Sequence, residues 1–244
     1  MIIGIAGKKQ SGKDTVAKII QYLITKDEFG YKHPPTINDM ESFFNNNHKS
    51  RWKIHRFADK LKDIVCLLIG CTREQLEDEE FKNTPLGSEW TETVDWGDYD
   101  WLDTNFVMTP RTMLQFIGTD LFRNRLHPNT WVNATMIGYK SLTSIQNGIM
   151  DMETGKVEII GGKTPIEYPN WIIPDVRFPN EVKAIKARDG IIIRLQRHTD
   201  IVDNHLSETA LDEYDGYDYV ISNNGTITDL ITKVNETLKK AKIL

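Results

Sequence analysis

The first thirty residues change from a strand pattern to a helical pattern. Residues 1–6 (MIIGIA) form a short apolar run that ends at Gly7, which is typical of a fully buried strand. In residues 13–26 the apolar positions recur three and four residues apart, which places them on one face of a helix. The pattern therefore predicts a buried strand followed by a helix that packs on a sheet.

The same alternation continues along the chain. Strand patterns lie at 52–57, 171–173, 191–195 and 217–222, and helical patterns lie at 59–69, 110–125, 129–142, 180–188 and 226–241. Strands separated by helices predict an α/β fold with a mostly parallel sheet that helices cover on both faces. We expect one domain over residues 1–244, with irregular insertions near 30–50, 84–108 and 144–168, the last of them a hairpin.

Several helix ends are marked by residues that satisfy free backbone groups. Thr109 followed by Pro110 predicts the start of a helix, and Asp59 is a candidate cap for an earlier one. Thr226 and Asp229 are spaced as a capping box at the start of the last helix.

The composition is that of an ordinary globular protein, with 39% hydrophobic and 27% charged residues. The net charge of −5 excludes a global basic field that would attract nucleic acid or an acidic membrane. The two cysteines, Cys66 and Cys71, lack metal-binding spacing, so we expect buried structural thiols in a reducing cytoplasm. We also expect neither a secretory leader nor a membrane span.

Candidate chemistry begins directly after the first strand, at residues 7–14 (GKKQSGKD), called here the phosphate loop. Its frame is Gly7, four residues and then Gly12-Lys13, between a predicted strand and a predicted helix. The glycines allow backbone N–H groups to turn towards a phosphate at the positive end of the helix dipole. Lys13 would follow charge onto a transferring phosphoryl group. This context favours a nucleotide site over a chance Gly/Lys turn.

Asp14 stands where such loops normally carry Ser or Thr. The usual hydroxyl group binds Mg²⁺, and a carboxylate is also a hard oxygen ligand. Thr15 supplies a hydroxyl group one position later. The spacing leaves open which of the two residues contacts the metal.

Two other segments carry polar residues in positions that suit a ligand. Asp175 and Arg177, in WIIPDVR (171–177), follow an apolar strand at the carboxyl end of the sheet, where open α/β folds bind ligands. The helix from residue 110 presents a polar face with a central glycine, which would let a planar group approach the backbone. This face consists of Arg111, Gln115, Gly118, Thr119 and Arg125, and the core face consists of Leu114, Ile117 and Leu121. The alternative interpretation of each set is solvated surface charge.

Seven segments in chain order carry a resemblance: GKKQSGKDTVA (7–17), FADKLKD (57–63), RTMLQFIGTDLFR (111–123), WV (131–132), IPDVRFPNE (173–181), HLSETAL (205–211) and VISNNGTITDLITKV (220–234). Together they resemble the deoxynucleoside monophosphate kinases of tailed bacteriophages. These form a branch of the P-loop nucleotide kinases whose phosphate loop also contains SGKDT. The similarity runs from end to end and is weak in the three insertions. It implies a P-loop kinase-type α/β fold, ATP with Mg²⁺, and the host cytoplasm if the chain is phage-encoded.

The resemblance also implies a reaction, in which the γ-phosphoryl group of ATP passes to the 5′-phosphate of a dNMP to give ADP and dNDP for DNA precursor supply. The ATP phosphates would be bound by Gly7, Lys9, Ser11, Gly12, Lys13, Asp14 and Thr15, with Asp14 and Thr15 at the metal. The dNMP would be bound by Lys62, Lys82, Arg111, Gly118, Thr119, Trp131, Asp175, Arg177, Glu181 and Ser207. Lys13, Arg111 and Arg177 would be catalytic. Asp175 and Glu181 would orient Arg177, a sugar hydroxyl or a metal-bound water rather than accept a proton.

The implied partners are ATP and deoxynucleoside monophosphates, with no nucleic acid, no membrane and a possible homodimer. Two other functions stay open: a P-loop kinase for a non-nucleotide phosphorylated acceptor, and a non-catalytic nucleotide-binding module. A GTP switch is disfavoured because the sequence has no NKxD-type element. The accepted bases, and the insertion that closes over the substrates, also stay open.

Overall fold

The computed structural model describes residues 1–31, 33–45, 50–90, 107–141, 148–150, 157–159, 167–198 and 206–244. They form two compact units. The sheet unit consists of Met1–Ile54 and Ile137–Leu244, and the helical unit consists of His55–Met136. Parts of the predicted insertions near 30–50, 84–108 and 144–168 lie outside the described residues. The single domain stays a prediction.

Strands and helices alternate as the sequence pattern predicts, with some differences. A helix at Ile37–Asn45 lies within the predicted irregular insertion near 30–50, and the helix predicted over 129–142 covers only Thr130–Met136. In chain order the elements are β1 (Ile2–Ala6), α1 (Lys13–Glu28), α2 (Ile37–Asn45), β2 (Trp52–Ile54), α3 (Asp59–Ile69), α4 (Arg73–Glu77), α5 (Glu79–Asn83), a 3₁₀ turn (Ser88–Trp90), α6 (Pro110–Gln115), a π-helix (Phe116–Leu126), α7 (Thr130–Met136), β3 (Gly148–Met150), β4 (Val157–Ile159), β5 (Asn170–Val176), α8 (Pro179–Lys186), β6 (Ile191–Gln196), α9 (Leu206–Thr209), β7 (Tyr219–Ser222) and α10 (Ile227–Lys240). None of the helices in the described ranges is long and apolar enough to cross a membrane.

The main sheet of the sheet unit, in its described residues, has the strand order β2-β5-β1-β6-β7, and every neighbouring pair is parallel. Ile3 and Ile5 of β1 pack in one core with α1 and α10. Gly4 faces α8, because a Cβ there would lie 2.7 Å from Cδ1 of Ile185. The sheet is therefore parallel and covered on both faces, which confirms the predicted α/β class. β3 and β4 form a separate antiparallel pair, the predicted hairpin.

β5 contains a proline although it lies inside the sheet. Gly4 pairs with Ile173 and Ala6 pairs with Val176, so β5 places one more residue than β1 between the two pairings. Pro174 has no N–H group to donate to a neighbouring strand, which accounts for the irregular register. The sequence pattern predicts a strand over 171–173, but this bulge allows β5 to continue to Val176 at the carboxyl end of the sheet.

Two of the three predicted helix starts are confirmed. The hydroxyl of Thr226 accepts from the N–H of Asp229 at 3.2 Å, and the Asp229 carboxylate accepts from the N–H of Thr226 at 2.8 Å. Thr109 caps α6 in the same way, and a proline follows it. The predicted cap at Asp59 is wrong. Asp59 lies inside the first turn of α3, and its carboxylate instead accepts from the N–H of Arg56.

The helix that follows Thr109 changes its hydrogen bonding halfway along. α6 continues directly into the π-helix, whose N–H groups bond to carbonyl oxygens five residues back. Because this turn holds more residues than an α-helical turn, Leu121, which the pattern predicts in the core, is exposed. The predicted polar face from Arg111 to Arg125 therefore does not continue beyond Gln115.

The two cysteines of the helical unit are in contact with each other. Their Sγ atoms are 3.7 Å apart, and both residues are only partly buried. The prediction of buried thiols is therefore wrong. They lie around the end of α3, where Gly70 has a φ of 66°, so the chain turns at the edge of the apolar cluster rather than inside it.

We expect Gly4→Ala to destabilise the protein by about 1–3 kcal/mol, because the new methyl group would overlap Cδ1 of Ile185 and of Ile192. Urea unfolding would measure the loss. Ile185→Val removes the closest methyl group, so the double variant should lose less than the sum of the two single variants. Additive losses would contradict the close packing of β1 on α8.

Candidate active site

The phosphate loop connects β1 to α1 and requires glycine at two positions. Gly7 has a φ of 157° and Gly12 a φ of 97°. A Cβ at Gly7 would lie 2.6 Å from the carbonyl oxygen of Leu195, and a Cβ at Gly12 would lie 2.8 Å from Nδ2 of Asn223. The same Nδ2 donates to the carbonyl oxygen of Ser11 at 2.8 Å. The glycines thus let the loop lie directly against the carboxyl ends of β6 and β7.

The loop gathers hydrogen-bond donors at the start of α1. Gly12 is the N-cap of this helix and supplies no side-chain hydrogen bond. The first N–H groups of a helix have no acceptor within the helix and form its positive end. The hydroxyl of Ser11 is completely buried and has no hydrogen-bond partner among the described residues. Donors arranged in this way bind a phosphate group.

Lys13 places a buried positive charge in the loop. Its side chain is only 7% exposed, and Nζ donates to the carbonyl oxygens of Gly7 and Lys8, each at 2.7 Å. The pKa of Lys13 is lowered to about 8, first by burial and then by the charge of Arg177, while Asp14 and Asp175 act in the opposite direction. The structure thus brings Arg177 and Asp175, from β5 and its end, within electrostatic reach of the loop.

Arg177 is held by a carboxylate that the sequence analysis does not assign. Nη1 of Arg177 donates to Oε1 of Glu208 and lies 3.5 Å from the hydroxyl oxygen of Ser207. Oε2 of Glu208 accepts from the backbone N–H of Lys9 in the phosphate loop at 2.8 Å. One buried carboxylate therefore connects Arg177 to the loop, and the predicted residue Ser207 lies beside both.

Glu181 acts on the backbone next to Arg177. It is buried, and its Oε2 accepts from the N–H of Arg177 at 2.7 Å and from the N–H of Phe178 at 3.1 Å. These bonds satisfy free donors at the start of α8. The predicted orientation of Arg177 by Glu181 is thus consistent with this geometry, whereas a contact of Glu181 with the acceptor stays a prediction.

Lys8 attaches the α9 segment to the phosphate loop. Its Nζ donates to the carbonyl oxygen of Glu208 at 2.7 Å and forms an ion pair with Asp212. The backbone N–H of the neighbouring Lys9 donates to the carboxylate of Glu208, as described above. The predicted contact of Lys9 with ATP phosphates stays a prediction.

A polar cavity of about 300 Å³ opens at the carboxyl ends of β6 and β7, next to the phosphate loop. Open α/β sheets bind ligands at this end of their strands. The cavity is lined by Lys8, Arg194, Arg197, His198, Ser222 and Asn224, among others. Lys8 belongs both to the cavity and to the loop, so the cavity adjoins the phosphate loop.

In the helical unit, two predicted phosphate ligands meet at one carboxylate. Nη2 of Arg111 lies 2.6 Å from Oε2 of Glu79, and Nζ of Lys82 lies 3.0 Å from Oε1 of the same residue. Nε of Arg111 also donates to Oδ1 of Asn83 at 2.8 Å. Arg111 and Lys82, which are 29 positions apart, thus form a cation pair around an anion.

Lys62 has a different partner in the helical unit. Its Nζ donates to Oε1 of Glu77 at 2.6 Å, and Nη2 of Arg73 lies 3.6 Å from the same oxygen. Arg73 also pairs with Asp59 and Asp63. Lys62 therefore belongs to a mixed-charge network on α3 and α4, and its predicted contact with the dNMP stays a prediction.

The remaining predicted residues of the helical unit pack against each other. Trp131 is 3% exposed, and its Nε1 donates to the carbonyl oxygen of Gly118 at 2.8 Å. A Cβ at Gly118 would lie 2.7 Å from Cδ2 of Leu61, and Thr119 beside it is buried. In this structure the glycine therefore permits the approach of Leu61. A role of these residues beside a nucleoside stays a prediction.

The fold and the site together define a class of protein. A buried parallel strand, a glycine-containing phosphate loop and a helix that begins at Lys13 stand at the carboxyl end of the sheet, next to Arg177. These features are those of the α/β proteins with a P-loop kinase-like fold.

Comparison with known proteins gives the family. The sequence profile of the family described as deoxynucleotide monophosphate kinase matches residues 100–234. A putative deoxynucleotide monophosphate kinase of Acanthamoeba polyphaga mimivirus is 31% identical over 242 residues, which cover 96% of this chain and 94% of the relative. The chain belongs to the deoxynucleotide monophosphate kinase family.

Two phage proteins share a shorter region. The deoxynucleotide monophosphate kinase of Enterobacteria phage T4 is 29% identical over 130 residues, and that of Escherichia phage RB69 is 24% identical over 136 residues. The matched regions cover 53% and 55% of this chain and 45% and 47% of the phage proteins, so the similarity extends over about half of each protein. These comparisons confirm the resemblance to deoxynucleoside monophosphate kinases that the sequence segments indicate.

We expect Lys13→Met to stabilise the folded protein while it abolishes turnover. Burial lowers the pKa of Lys13 from 10.5 to about 8, so near pH 7 the charged lysine destabilises the fold by up to about 3 kcal/mol. As the pH rises from about 8 to about 10.5, the folded protein releases this proton before the unfolded chain does, and the wild type gains stability. Denaturant unfolding should therefore show an advantage of the variant that shrinks towards alkaline pH.

Lys18→Met is the matched control, since Lys18 is exposed on the same helix. Its unfolding free energy should follow that of the wild type across this pH range. A Lys13→Met variant that is less stable than the wild type near pH 7 would show that the two carbonyl hydrogen bonds outweigh the burial of the charge.

Proposed function

We propose that this chain transfers the γ-phosphoryl group of ATP to the 5′-phosphate of a deoxynucleoside monophosphate, giving ADP and a dNDP for DNA precursor supply. The observation that carries the proposal is the cluster of Lys13, Arg177 and Glu208 at the phosphate loop of a member of this family. Two cations beside a phosphate-binding loop suit a reaction in which two highly charged groups must approach each other.

The donor nucleotide has a continuous place in the sheet unit. The loop N–H groups, the hydroxyl of Ser11 and the ammonium group of Lys13 would bind the phosphates of ATP. The adjoining cavity at the ends of β6 and β7 would hold the ribose and the base, and Asn224 and Ser222 offer hydrogen bonds there. Gly7 and Gly12 act by keeping the loop free of side chains at its two closest contacts.

The residues present fit a magnesium ion bound together with ATP. Asp14 is exposed in the first turn of α1, and both Asp14 and Asp175 are close enough to act on the pKa of Lys13. Among the described residues no group of three or more His, Cys, Asp or Glu forms a protein-only cage, and kinase Mg²⁺ is held by one or two carboxylates with phosphates and water. We assign Asp14 and Thr15 as its protein ligands. When bound, the ion neutralises charge on the phosphates.

The acceptor is assigned to the cations of the helical unit. Arg111 and Lys82 already hold the two oxygens of the Glu79 carboxylate, and arginine binds carboxylate and phosphate with the same fork of N–H groups. A 5′-phosphate would take the place of this carboxylate. Lys62, Gly118, Thr119 and Trp131 are assigned to the same nucleotide by the family resemblance.

The nucleophile needs no general base. It is an oxygen of the acceptor phosphate, whose second pKa is about 6, so the group is mostly dianionic at neutral pH. The protein therefore has to neutralise, align and exclude water rather than remove a proton. This agrees with Glu181 and Glu208, whose carboxylates are engaged by backbone N–H groups and by Arg177.

Family membership does not favour the two alternative functions, a kinase for a non-nucleotide acceptor and a non-catalytic module. A homodimer and a location in the cytoplasm, or in the host cytoplasm, stay predictions.

We expect ADP release from ATP to depend on an added deoxynucleoside monophosphate. A coupled assay with the four common dNMPs and their ribose counterparts measures this directly. Lys13→Met should abolish the signal, because Lys13 is the buried cation of the loop. ADP release that is independent of every monophosphate would contradict the proposed function.

We expect Arg111→Ala to raise the KM for the monophosphate by about tenfold or more, which is the loss of one charge-assisted hydrogen bond, and to leave the KM for ATP within about twofold. Steady-state kinetics with each substrate varied in turn would measure the two constants. Arg51→Ala, at an exposed arginine of the sheet unit, is the matched control and should change neither. An equal rise in both constants would remove Arg111 from the acceptor site.

A further inference from the structure

We propose that Glu208 is a positioning residue of this kinase, whose buried carboxylate fixes the guanidinium group of Arg177 at the phosphate loop so that Arg177 can face the transferring phosphoryl group. The proposal rests on the proposed function and adds a residue that neither the sequence motifs nor the family comparison assigns. Its basis lies wholly in the sheet unit.

Each oxygen of the Glu208 carboxylate has its own partner. Oε1 accepts from Nη1 of Arg177, and Oε2 accepts from the N–H of Lys9 at 2.8 Å. The side chain of Glu208 is 5% exposed, whereas that of Arg177 is 32% exposed. A buried carboxylate is stable only when it is paired and hydrogen-bonded, so this geometry leaves it little freedom.

The backbone of Glu208 is fixed as well. Its carbonyl oxygen accepts from Nζ of Lys8 at 2.7 Å. Two consecutive residues of the phosphate loop, Lys8 and Lys9, thus bind the same residue of α9. Glu208 therefore moves with the loop, and Arg177 is tied to the loop through it.

Electrostatics explain why such a tie is needed. Arg177 and Lys13 are close enough for the arginine to lower the pKa of the lysine. Two cations that are this close to each other repel, and a phosphate group between them would offset the repulsion. The carboxylate of Glu208, paired with Arg177, offsets this repulsion and keeps the guanidinium group in place before substrates bind.

The pairing leaves part of the guanidinium group for a ligand. The side-chain hydrogen bonds that Arg177 makes to described residues all use Nη1, to Glu208 and Ser207. Arginine carries five N–H donors in a fixed fork, so those of Nη2 and Nε point elsewhere. A guanidinium group that is held at Nη1 has its other N–H groups in a fixed orientation, in which they can donate to a phosphate oxygen.

The test is a double-mutant cycle. Glu208→Gln keeps an oxygen that can accept from the N–H of Lys9 but removes the charge that holds Arg177. We expect kcat to fall by about 10- to 100-fold and the KM for ATP to stay within about threefold. In an Arg177→Met background the same substitution should lower kcat by no more than about twofold, because the group that it positions is gone. The proposal would be overturned if the loss of kcat in the double variant equals the product of the losses in the two single variants. An unchanged kcat in Glu208→Gln would also overturn it.

Asp212→Asn is the matched control, since Asp212 pairs with Lys8 at the end of the same segment but is exposed and does not touch Arg177. Its kcat should match the wild type. An equal loss in this variant would show that docking of the segment, and not Arg177, is what matters. If Glu208→Gln does not fold, as judged by circular dichroism, the cycle is run with Glu208→Asp, whose side chain is one methylene too short to reach both Arg177 and the N–H of Lys9. The same loss of kcat in the wild-type background, and its absence in the Arg177→Met background, are then expected.

The wild-type assay separates this proposal from the function on which it rests. Wild-type protein that releases no ADP with any monophosphate would overturn the proposed function and the role of Glu208 together. Wild-type turnover with multiplicative losses in the cycle would overturn the role of Glu208 alone.

Discussion

The confinement of one ammonium group is the constraint on which the sheet unit depends. Lys13 is buried, and its ammonium group donates hydrogen bonds to two carbonyl oxygens of its own loop. A buried charge needs such partners, so the loop must close tightly around it. The contacts of Gly7 with Leu195 and of Ser11 with Asn223 hold that closed shape from the ends of β6 and β7. The loop therefore takes its shape partly from residues at the ends of β6 and β7.

The elements of the fold can be predicted from the sequence where residues close to each other in the chain determine them. β1, α1 and α10 are marked by apolar spacing and by the Thr226 capping box, and the structure has them where the sequence predicts. Prediction fails where distant contacts compete. The π-helix forms in a segment whose Gly118 lies under Leu61 and gives its carbonyl oxygen to Trp131, and neither contact is visible in local spacing. β5 extends past Pro174 because a bulge absorbs the missing donor.

The candidate site likewise has one part that can be predicted from the sequence and one part that cannot. The phosphate loop can be predicted because all of its parts are consecutive, from the buried strand to Lys13. Glu208 and Asn223 lie in segments that the resemblance includes, but their partners are about two hundred positions away in sequence. Glu79 is one of several acidic residues in a row, and only the fold shows that it is the one between Arg111 and Lys82. The role of an acidic residue depends on the group it pairs with, and a single sequence does not show which group that is.

The ion pairs of Glu79 have a consequence for selectivity. An anion that enters between Arg111 and Lys82 competes with a carboxylate that is tethered nearby and therefore present at high effective concentration. A singly charged group is attracted by the two cations about as strongly as the Glu79 carboxylate is, whereas a doubly charged group is attracted more strongly. A terminal phosphate would thus be admitted more readily than the phosphodiester of a DNA strand, which carries one charge per linkage. If Arg111 and Lys82 bind the acceptor as proposed, Glu79 of α5 would therefore favour doubly charged groups over singly charged ones.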